Sequence, residues 1–497
     1  MSFVFSGVTV RKNLPQEIRD QLVVDTFERK DKSTGRICVY RRLSYYDAKK
    51  QFNVYVASKK IGEKDPDSGD INPLVRKLYR KEDASNEGNA LHELAENLSD
   101  PRQQSKVKFP LPPTLEVFLC AAMGGEFGPK LGACYWDQHL DFFKTRWGTE
   151  IPKLAPSISS ANRLLRTIRP EEFQALFQEL VFPLLPDPAT SNGDRHVVAT
   201  DGQVVRASTN SKGDQHQFLS FYSTETGIAF AQTLIDEKSN EIPAALKLAK
   251  RLELRGSIVT GDAMHCQRQF VQALMNESRA DYLLALKKNQ GRLVTCVEEL
   301  FEKSQVNKHV EEREKAHGRE ETRETFVLPG ELVPEDIRRH WFGLEFGCIA
   351  KQISRRTVIH ADGKRDKTSE AVRYFITSLP AGEDDVEKLI HRVIRRHWGI
   401  ENQLHHVLDV DFGQDGCQMR NAELIANVAQ INKFALAIIE LARRHLCKEQ
   451  TKKRLISINE IRHSLQNNPA LAIKYIELFA RQSAWHASQR QPEPLTK

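Results

Sequence analysis

Two short apolar runs in this chain each end on an aspartate, and they restrict its fold more than any other feature. The run His196–Asp201 closes on Asp201 just before a glycine, and the run Ser257–Asp262 closes on Asp262 just after one. Runs of this length and composition predict buried strands. Because burying an unpaired carboxylate costs several kcal/mol, each acid needs a partner.

A third carboxylate, Glu401, lies in a segment with the period of a helix. Positions 394, 398, 401, 405 and 408 are three or four residues apart, which places them on one helix face. The other four positions on that face carry Ile, Trp, His and Leu. We therefore predict a helix over 386–408 that presents Glu401 within an apolar, histidine-bearing stripe. Three such acids indicate that their partner is a metal ion.

The composition is that of a globular protein with a mild basic excess. The chain has 497 residues, and its net charge of +7 permits nucleic-acid binding without requiring it. This length predicts about two to four domains. The longest apolar runs, near 117–122 and 434–442, are shorter than the ~18 residues of a membrane span, and no signal peptide is evident. The eight cysteines form no C-x-x-C pair, so we expect a reduced, cytoplasmic protein without a membrane.

The segment after residue 195 alternates predicted strands and helices. Strands are predicted up to Asp201, at 218–222, 228–234, 258–260 and 282–286, and helices at 242–252 and 267–275. This β-β-β-α-β-α-β order is that of a ribonuclease-H-like fold. In such a fold, acids at the ends of the first and fourth strands lie side by side, as Asp201 and Asp262 would.

The predicted fold class is α/β: a ribonuclease-H-like catalytic core with a β-strand insertion, preceded by a helical domain and a small N-terminal β unit. The N-terminal unit and its linker are assigned to 1–80, with hairpin strands at 37–40 and 52–56. The remaining boundaries are 81–190 for the helical domain, 191–299 and 381–450 for the core, and 300–380 for the insertion, with strands at 326–328, 346–350 and 374–378. Residues 451–497 are predicted to form a C-terminal helical tail with a disordered end.

Three acids on two neighbouring strands and a packed helix can hold two Mg²⁺ ions, which prefer oxygen ligands. Two such ions, about 3.5–4 Å apart, clamp the attacking and leaving oxygens of an in-line phosphoryl displacement. Without metal, two carboxylates about 4 Å apart repel by about 4 kcal/mol at an effective dielectric of about 20. At least one would then take up a proton. We therefore predict Mg²⁺, or Mn²⁺, as the cofactor.

Six segments around these acids share one further property, which is their likeness to a known family. They are Thr200–Arg206, Asp236–Ile242, Val259–Gln267, Leu284–Gly291, His317–Arg323 and His397–Asn402. In this order they resemble the DDE transposases of bacterial insertion sequences, in the ISAs-type (H-repeat-associated) branch. The resemblance covers roughly 90–450, with Leu98–Arg102 in the family's associated N-terminal domain, and leaves residues 1–80 outside.

The resemblance implies that Asp201, Asp262 and Glu401 are the catalytic residues and the metal ligands. It further implies cleavage of double-stranded DNA at transposon ends, followed by attack of the freed 3′-hydroxyl on target DNA. The partners would be the terminal inverted repeats and the target DNA, held by a homodimer or higher multimer in the bacterial nucleoid.

Candidate DNA contacts cannot be taken over from the wider relatives. Those relatives carry Tyr, Arg and Lys around the catalytic Glu, where this chain has Ile394, His397 and Leu408. Our substitutes are Arg396 and His405. The further DNA-binding candidates are Arg206, Lys287, Asn289, His317, Arg319 and Arg323. The last three could equally form a charged turn, and His265 could touch a phosphate or only cap the site.

Two other functions remain open on the sequence. One is a catalytically silent DNA-binding derivative of a transposase, which the presence of all three acids disfavours. The other is a ribonuclease-H-like nuclease that cuts without strand transfer. Only an assay that distinguishes joined from nicked products separates the second from a transposase.

Overall fold

The computed structural model describes the backbone of six strands between residues 3 and 73, and most of the chain from 95 to 489. The gaps within the second part are residues 127, 149–151, 187–194, 210–211, 236–240, 307–308, 317, 342–345, 361, 363 and 450–454. The chain divides into two compact units, Met1–Gly88 and Asn89–Lys497, which are described separately. The C-terminal end, for which disorder was predicted, lies beyond residue 489 and thus outside the described residues.

The described strands of the N-terminal unit form two antiparallel sheets. The first pairs β1 (Phe3–Phe5) with β2 (Val8–Val10). The second has the strands in sequence order: β3 (Val23–Lys30), β4 (Ile37–Asp47), β5 (Phe52–Lys64) and β6 (Ile71–Pro73). The predicted hairpin is confirmed by the pairing of β4 with β5, and both strands are longer than their apolar runs indicated.

Five helices follow between residues 111 and 181. They are α1 (Leu111–Gly124), α2 (Gly128–Gln138), α3 (Leu140–Trp147), α4 (Ile158–Thr167) and α5 (Pro170–Val181). The start of α4 is set by Ser157, whose side chain accepts a hydrogen bond from the Ser160 backbone N–H. Helix α5 begins at Pro170, where a missing N–H costs nothing.

The central sheet of the second unit has the ribonuclease-H-like strand order, so the predicted fold class is confirmed. Its core strands are β7 (Val197–Thr209), β8 (Gln215–Ser223), β9 (Ile228–Leu234), β10 (Ile258–Gly261) and β11 (Asp281–Leu286). Across the sheet they run β9-β8-β7-β10-β11. The first three are antiparallel, and β7, β10 and β11 are parallel. Helices α6 (Glu241–Ala249) and α7 (Arg268–Asn276) connect the later strands.

The strands of the insertion extend this same sheet to nine strands. They are β12 (His309–Ala316), β13 (Arg319–Pro329), β14 (Cys348–Val358) and β15 (Ser369–Thr377). All pair antiparallel, and β15 joins the core by pairing with β11. Strand β12 was not predicted, because its sequence HVEEREKA is largely exposed and has no apolar run. Helix α8 (Arg292–Lys303) precedes the insertion strands, and α9 (Glu335–Trp341) lies between β13 and β14.

The C-terminal part is helical and completes the core. Helix α10 (Val386–His397) packs on the sheet, and α11 (Ala422–Glu449) contacts α1, α4, α5 and β9. Two helices end the described chain, α12 (Ile458–Leu465) and α13 (Pro469–Gln489). Within α11, the stretch Ala422–Cys447 is long and apolar enough, by length and composition alone, to cross a membrane. Since 94% of the tested window is buried, the helix has the surroundings of a core helix.

Candidate active site

The two aspartates lie on neighbouring parallel strands. Strands β7 and β10 pair in a register that aligns Thr200 with Gly261, so Asp201 and Asp262 occupy the next position of each. Asp262 directly follows β10, as predicted. Asp201 does not end its strand, because β7 continues to Thr209. Beyond Asp201 the strand pairs with β8 alone, which explains why its apolar character stops there while the strand does not.

Asp201 is surrounded by more negative than positive charge. Its pKa is raised to about 7: burial contributes most, the charges of Glu241 and Asp262 also raise it, and the hydrogen bond from the Gly202 backbone and the charge of His265 oppose them. Its Oδ2 lies 3.5 Å from Nδ1 of His405. A buried carboxyl group whose pKa is raised further by neighbouring acids marks a candidate functional site.

Glu401 is near the aspartates but not on the predicted helix face. After α10 the chain forms π-type turns, with wider i to i+5 hydrogen bonding, over Ile400–His405 and Val407–Asp411. The wider turns rotate the side chains away from the spacing of an α-helix. The buried positions are Ile400, Leu404, Val407 and Leu408, whereas Glu401 is exposed. The prediction of an apolar stripe containing Glu401 was therefore wrong.

The charges around Glu401 connect it to the aspartates. Partial burial raises the pKa of Glu401, Arg373 lowers it, and the charge of Asp262 raises it. Asp262 therefore interacts with both Asp201 and Glu401. The fold thus brings the three predicted acids into one electrostatic neighbourhood, although they come from two strands and a distant helical segment.

The donor set has the chemistry of a site for a hard divalent cation. Asp201, Asp262 and Glu401 offer carboxylate oxygens, which such ions prefer as ligands. Repulsion from Asp262 contributes to the raised pKa of Asp201 and of Glu401. In the part of the chain that the structure describes, no three His, Cys, Asp or Glu side chains converge closely enough to hold one metal ion. The residues therefore fit such an ion by charge and donor type, and the side chains must move together to bind it.

Three histidines, His265, His397 and His405, border the acids. The sequence had suggested His405 as a DNA contact and His265 as a phosphate contact or a cap. Burial lowers the pKa of His397 to about 4 and of His405 to about 3, so both rings are neutral at pH 7. Nδ1 of His397, Nε2 of His405 and both ring nitrogens of His265 have no hydrogen-bond partner among the described residues. His397 was absent from the predicted site, and its position in the His-Trp-x-x-Glu segment was the available signal.

Arg373 is a site residue that the sequence did not reveal. Its guanidinium lies 4.8 Å from the ring centroid of Trp398, and its charge acts on Glu401. Arg373 is exposed on β15, in the insertion. No local pattern distinguishes it from the other arginines of these strands, because only the pairing of β15 with the core sheet brings it to the site.

Three of the predicted DNA contacts, Arg206, Lys287 and Asn289, are exposed, and Asn289 also supports the loop after β10. The Arg206 side chain is 77% exposed and lies 3.3 Å from Asp415. Lys287 is exposed just after β11. Asn289 donates a hydrogen bond of 3.0 Å to the carbonyl of Ala263, beside Asp262, and its neighbour Gln290 donates one of 2.8 Å to the same oxygen. Asn289 therefore holds the loop that carries an acid.

The remaining candidates differ in how far their charge is already paired. Arg323 is buried, and glutamates 312, 314 and 321 surround its guanidinium. Arg396 forms an ion pair with Glu225, and Arg319 lies 3.8 Å from Glu321. For Arg323 to contact DNA, it would have to break a paired network at the cost of desolvated charge. His317 lies outside the described residues.

The strand order, with acids on β7 and after β10, defines a ribonuclease-H-like domain, and comparisons with known proteins identify its family. A family model of the transposase DDE domain matches residues 192–438, and a model of its associated domain matches residues 92–181. The H repeat-associated protein YhhI of Escherichia coli (strain K12) is 33% identical over 356 residues, which are 69% of this chain and 89% of that protein. The H repeat-associated protein YbfD of the same strain is 33% identical over 49% of this chain and 97% of that protein.

A solved structure of a piggyBac transposase synaptic complex with hairpin DNA aligns with 84% of this chain and 82% of its own. Its TM-score is 0.32 and its sequence identity 12%, a likeness too low to support any conclusion. The family models and the sequence relatives establish the family without it. The chain belongs to the DDE transposases, in the branch of the H repeat-associated proteins.

Proposed function

We propose that this transposase cleaves double-stranded DNA at the ends of an insertion sequence and joins the freed 3′ ends to target DNA. The observation that carries the proposal is the coupling of the three acids. Burial contributes most to the raised pKa of Asp201 and of Glu401, and the charge of Asp262 raises both. A shared repulsion of this kind is relieved when divalent cations bind between the acids.

In this proposal Asp201, Asp262 and Glu401 hold two Mg²⁺ or Mn²⁺ ions. When bound, the ions polarise the scissile phosphate and lower the pKa of the attacking water or hydroxyl. The neutral rings of His397 and His405 offer hydrogen bonds without adding charge to the site.

DNA contacts are proposed for the cations that the fold leaves exposed near the acids. We propose that Arg373, which lies over the ring of Trp398, binds a backbone phosphate. Lys287, which directly follows β11, the strand next to β10, is a second proposed phosphate contact. Arg206 lies five residues beyond Asp201 on the same strand. Since transposition needs two ends together, we propose that a homodimer or higher multimer binds them. A light-scattering mass of one chain per DNA end, with no paired complex, would contradict this.

The test uses variants that keep the shape of each acid and remove its charge. Asp201→Asn, Asp262→Asn and Glu401→Gln are each expected to reduce cleavage of end-containing DNA in Mg²⁺ below detection while end binding is retained. Glu277→Gln is the matched control, because Glu277 is an exposed acid paired with Lys250. This variant should cleave DNA as the wild type does. Cleavage by any of the three site variants would refute the assignment.

The products of the wild-type reaction distinguish the alternatives. Strand transfer predicts end DNA covalently joined to a target plasmid, detected as a slower band on a denaturing gel. Nicked products that are never joined would leave only a nuclease. End binding without any cleavage would leave a silent DNA-binding derivative.

A further inference from the structure

A fourth carboxylate, that of Glu241, lies against the strand that carries Asp201. Glu241 is the first residue of α6, and its side chain is mostly buried. A Cβ built on Gly202 would overlap both of its carboxylate oxygens. The carboxylate therefore occupies the space that any side chain at position 202 would fill, one residue from Asp201.

The Glu241 carboxylate lies beside the strand that carries a proposed metal ligand. Gly202 directly follows Asp201 on β7, and the carboxylate fills the space beside its Cα atom. Glu241 therefore belongs to the same group of acids as Asp201.

His265, in the loop after β10, faces this carboxylate. Its side chain is fully buried, and Nε2 lies 3.4 Å from Oε2 of Glu241. Neither ring nitrogen of His265 has a hydrogen-bond partner among the described residues. A buried imidazole with two unused nitrogens beside a carboxylate is costly unless something completes the contact. A small rearrangement on ligand binding would bring Nε2 into hydrogen-bonding range of Glu241.

We propose that Glu241 is a fourth carboxylate of the divalent-cation site, which it reaches across Gly202 while His265 holds its far oxygen. This rests on the proposed function, since it assumes that Asp201 binds a cation. Gly202 is then required because it leaves room for the acid. A merely structural role would be that of an acid in the first turn of α6, where it stabilises the helix dipole.

Direct measurement of Mn²⁺ binding to the full chain, by titration calorimetry without DNA, separates these roles. Glu241→Gln is expected to weaken Mn²⁺ binding by about 10-fold or more, the usual effect of losing a carboxylate in or behind the ligand shell. Asp201→Asn is the positive reference. Glu335→Gln is the matched control, because Glu335 is likewise the first residue of its helix, α9, and its side chain is 64% exposed.

A second variant tests the same geometry without removing the acid. Gly202→Ala displaces the Glu241 carboxylate, which is the flexible end of a side chain, and should weaken Mn²⁺ binding to a similar extent. This variant decides the question if Glu241→Gln does not fold. The double variant should bind no more weakly than Glu241→Gln alone, because both changes remove one interaction.

The outcomes distinguish this inference from the function on which it rests. Wild-type affinity in Glu241→Gln or Gly202→Ala, with weakened binding in Asp201→Asn, would overturn the role of Glu241 and leave the metal site intact. Equal weakening in Glu241→Gln and Glu335→Gln would also overturn it, since helix stability would then be the cause. A wild-type chain that binds no Mn²⁺ would overturn both.

Discussion

At the scale of single residues, Lys433 is the most unusual charge in the core. It is fully buried on α11, where Nζ donates hydrogen bonds of 2.7 Å to Ser220 and 2.6 Å to Gln232. Ser220 is the cross-strand neighbour of Asp201. Burial lowers the pKa of Lys433 to about 7. A lysine with a pKa near neutrality is thus hydrogen-bonded to the residue that pairs with Asp201 across the sheet.

The lowered pKa predicts how stability depends on pH. Between pH 7 and the usual pKa of 10.5, the unfolded chain holds a proton on Lys433 that the folded chain has lost. The free energy of unfolding should therefore rise with pH, by at most about 1.4 kcal/mol per unit from this group. Below pH 7 Lys433 is protonated in both states, and the full cost of burying its charge lowers the free energy of unfolding.

Urea unfolding of the wild type and of Lys433→Met at pH 7, 7.5, 8 and 8.5 measures this contribution. The difference between the two chains isolates Lys433, because the other titrating groups are common to both. The advantage of the methionine variant should shrink as the pH rises. A difference that is constant across this range would show that Lys433 keeps its proton in the fold.

At the scale of elements, the insertion matters because it belongs to the catalytic sheet. Strand β15 pairs with β11 through Leu283 and Thr377, and it continues outward with Arg373 on its exposed part. The segment after α10 lies beside this part of β15. The guanidinium of Arg373 therefore lies over the ring of Trp398, and its charge lowers the pKa of Glu401. The insertion therefore contributes a cation to the site.

Arg373→Ala is expected to weaken binding to end-containing DNA, because one phosphate contact and its released counterion are lost. The slope of log affinity against log salt should become shallower by about one. Fluorescence anisotropy at several salt concentrations measures both. Arg355→Ala is the matched control, since Arg355 lies on the neighbouring β14 and is already paired with Glu324 and Glu370. Equal effects of the two variants would argue against a specific contact by Arg373.

At the scale of the whole molecule, the proposed metal site would couple metal binding to folding. Its proposed ligands come from β7, from the loop after β10 and from the segment after α10, so only the folded chain presents them together. A ligand that binds the folded state alone stabilises it by about 2.7 kcal/mol at a hundred times its dissociation constant.

Millimolar Mg²⁺ or Mn²⁺ should therefore raise the melting temperature of the wild type by a few degrees. The rise should be lost in Asp201→Asn, which already lacks one repelling charge, and retained in Glu277→Gln. Differential scanning calorimetry with and without metal measures it. A wild-type melt that does not respond to either ion would contradict the metal site.

Local patterns in the sequence predicted much of the catalytic core. The strands at β7 to β11 and the helices between them follow from short apolar runs and from period, which depend on neighbours in the chain. The same patterns failed where the structure is not governed by burial. Strand β12 is charged and exposed, and β7 continues past Asp201 because β8 pairs with it. Glu401 left the predicted face because the turns after α10 are wider than those of an α-helix.

By itself, the sequence determined the order of the core elements and the family, and it suggested Asp201, Asp262 and Glu401 as site residues, because motifs and hydrophobic period are properties of contiguous residues. Tertiary structure decided what surrounds them. Glu241, His265 and Arg373 come from different segments and meet the acids only when the sheet and helices pack. Their partners, exposure and pKa shifts arise from charge and burial in three dimensions, which no local spacing records.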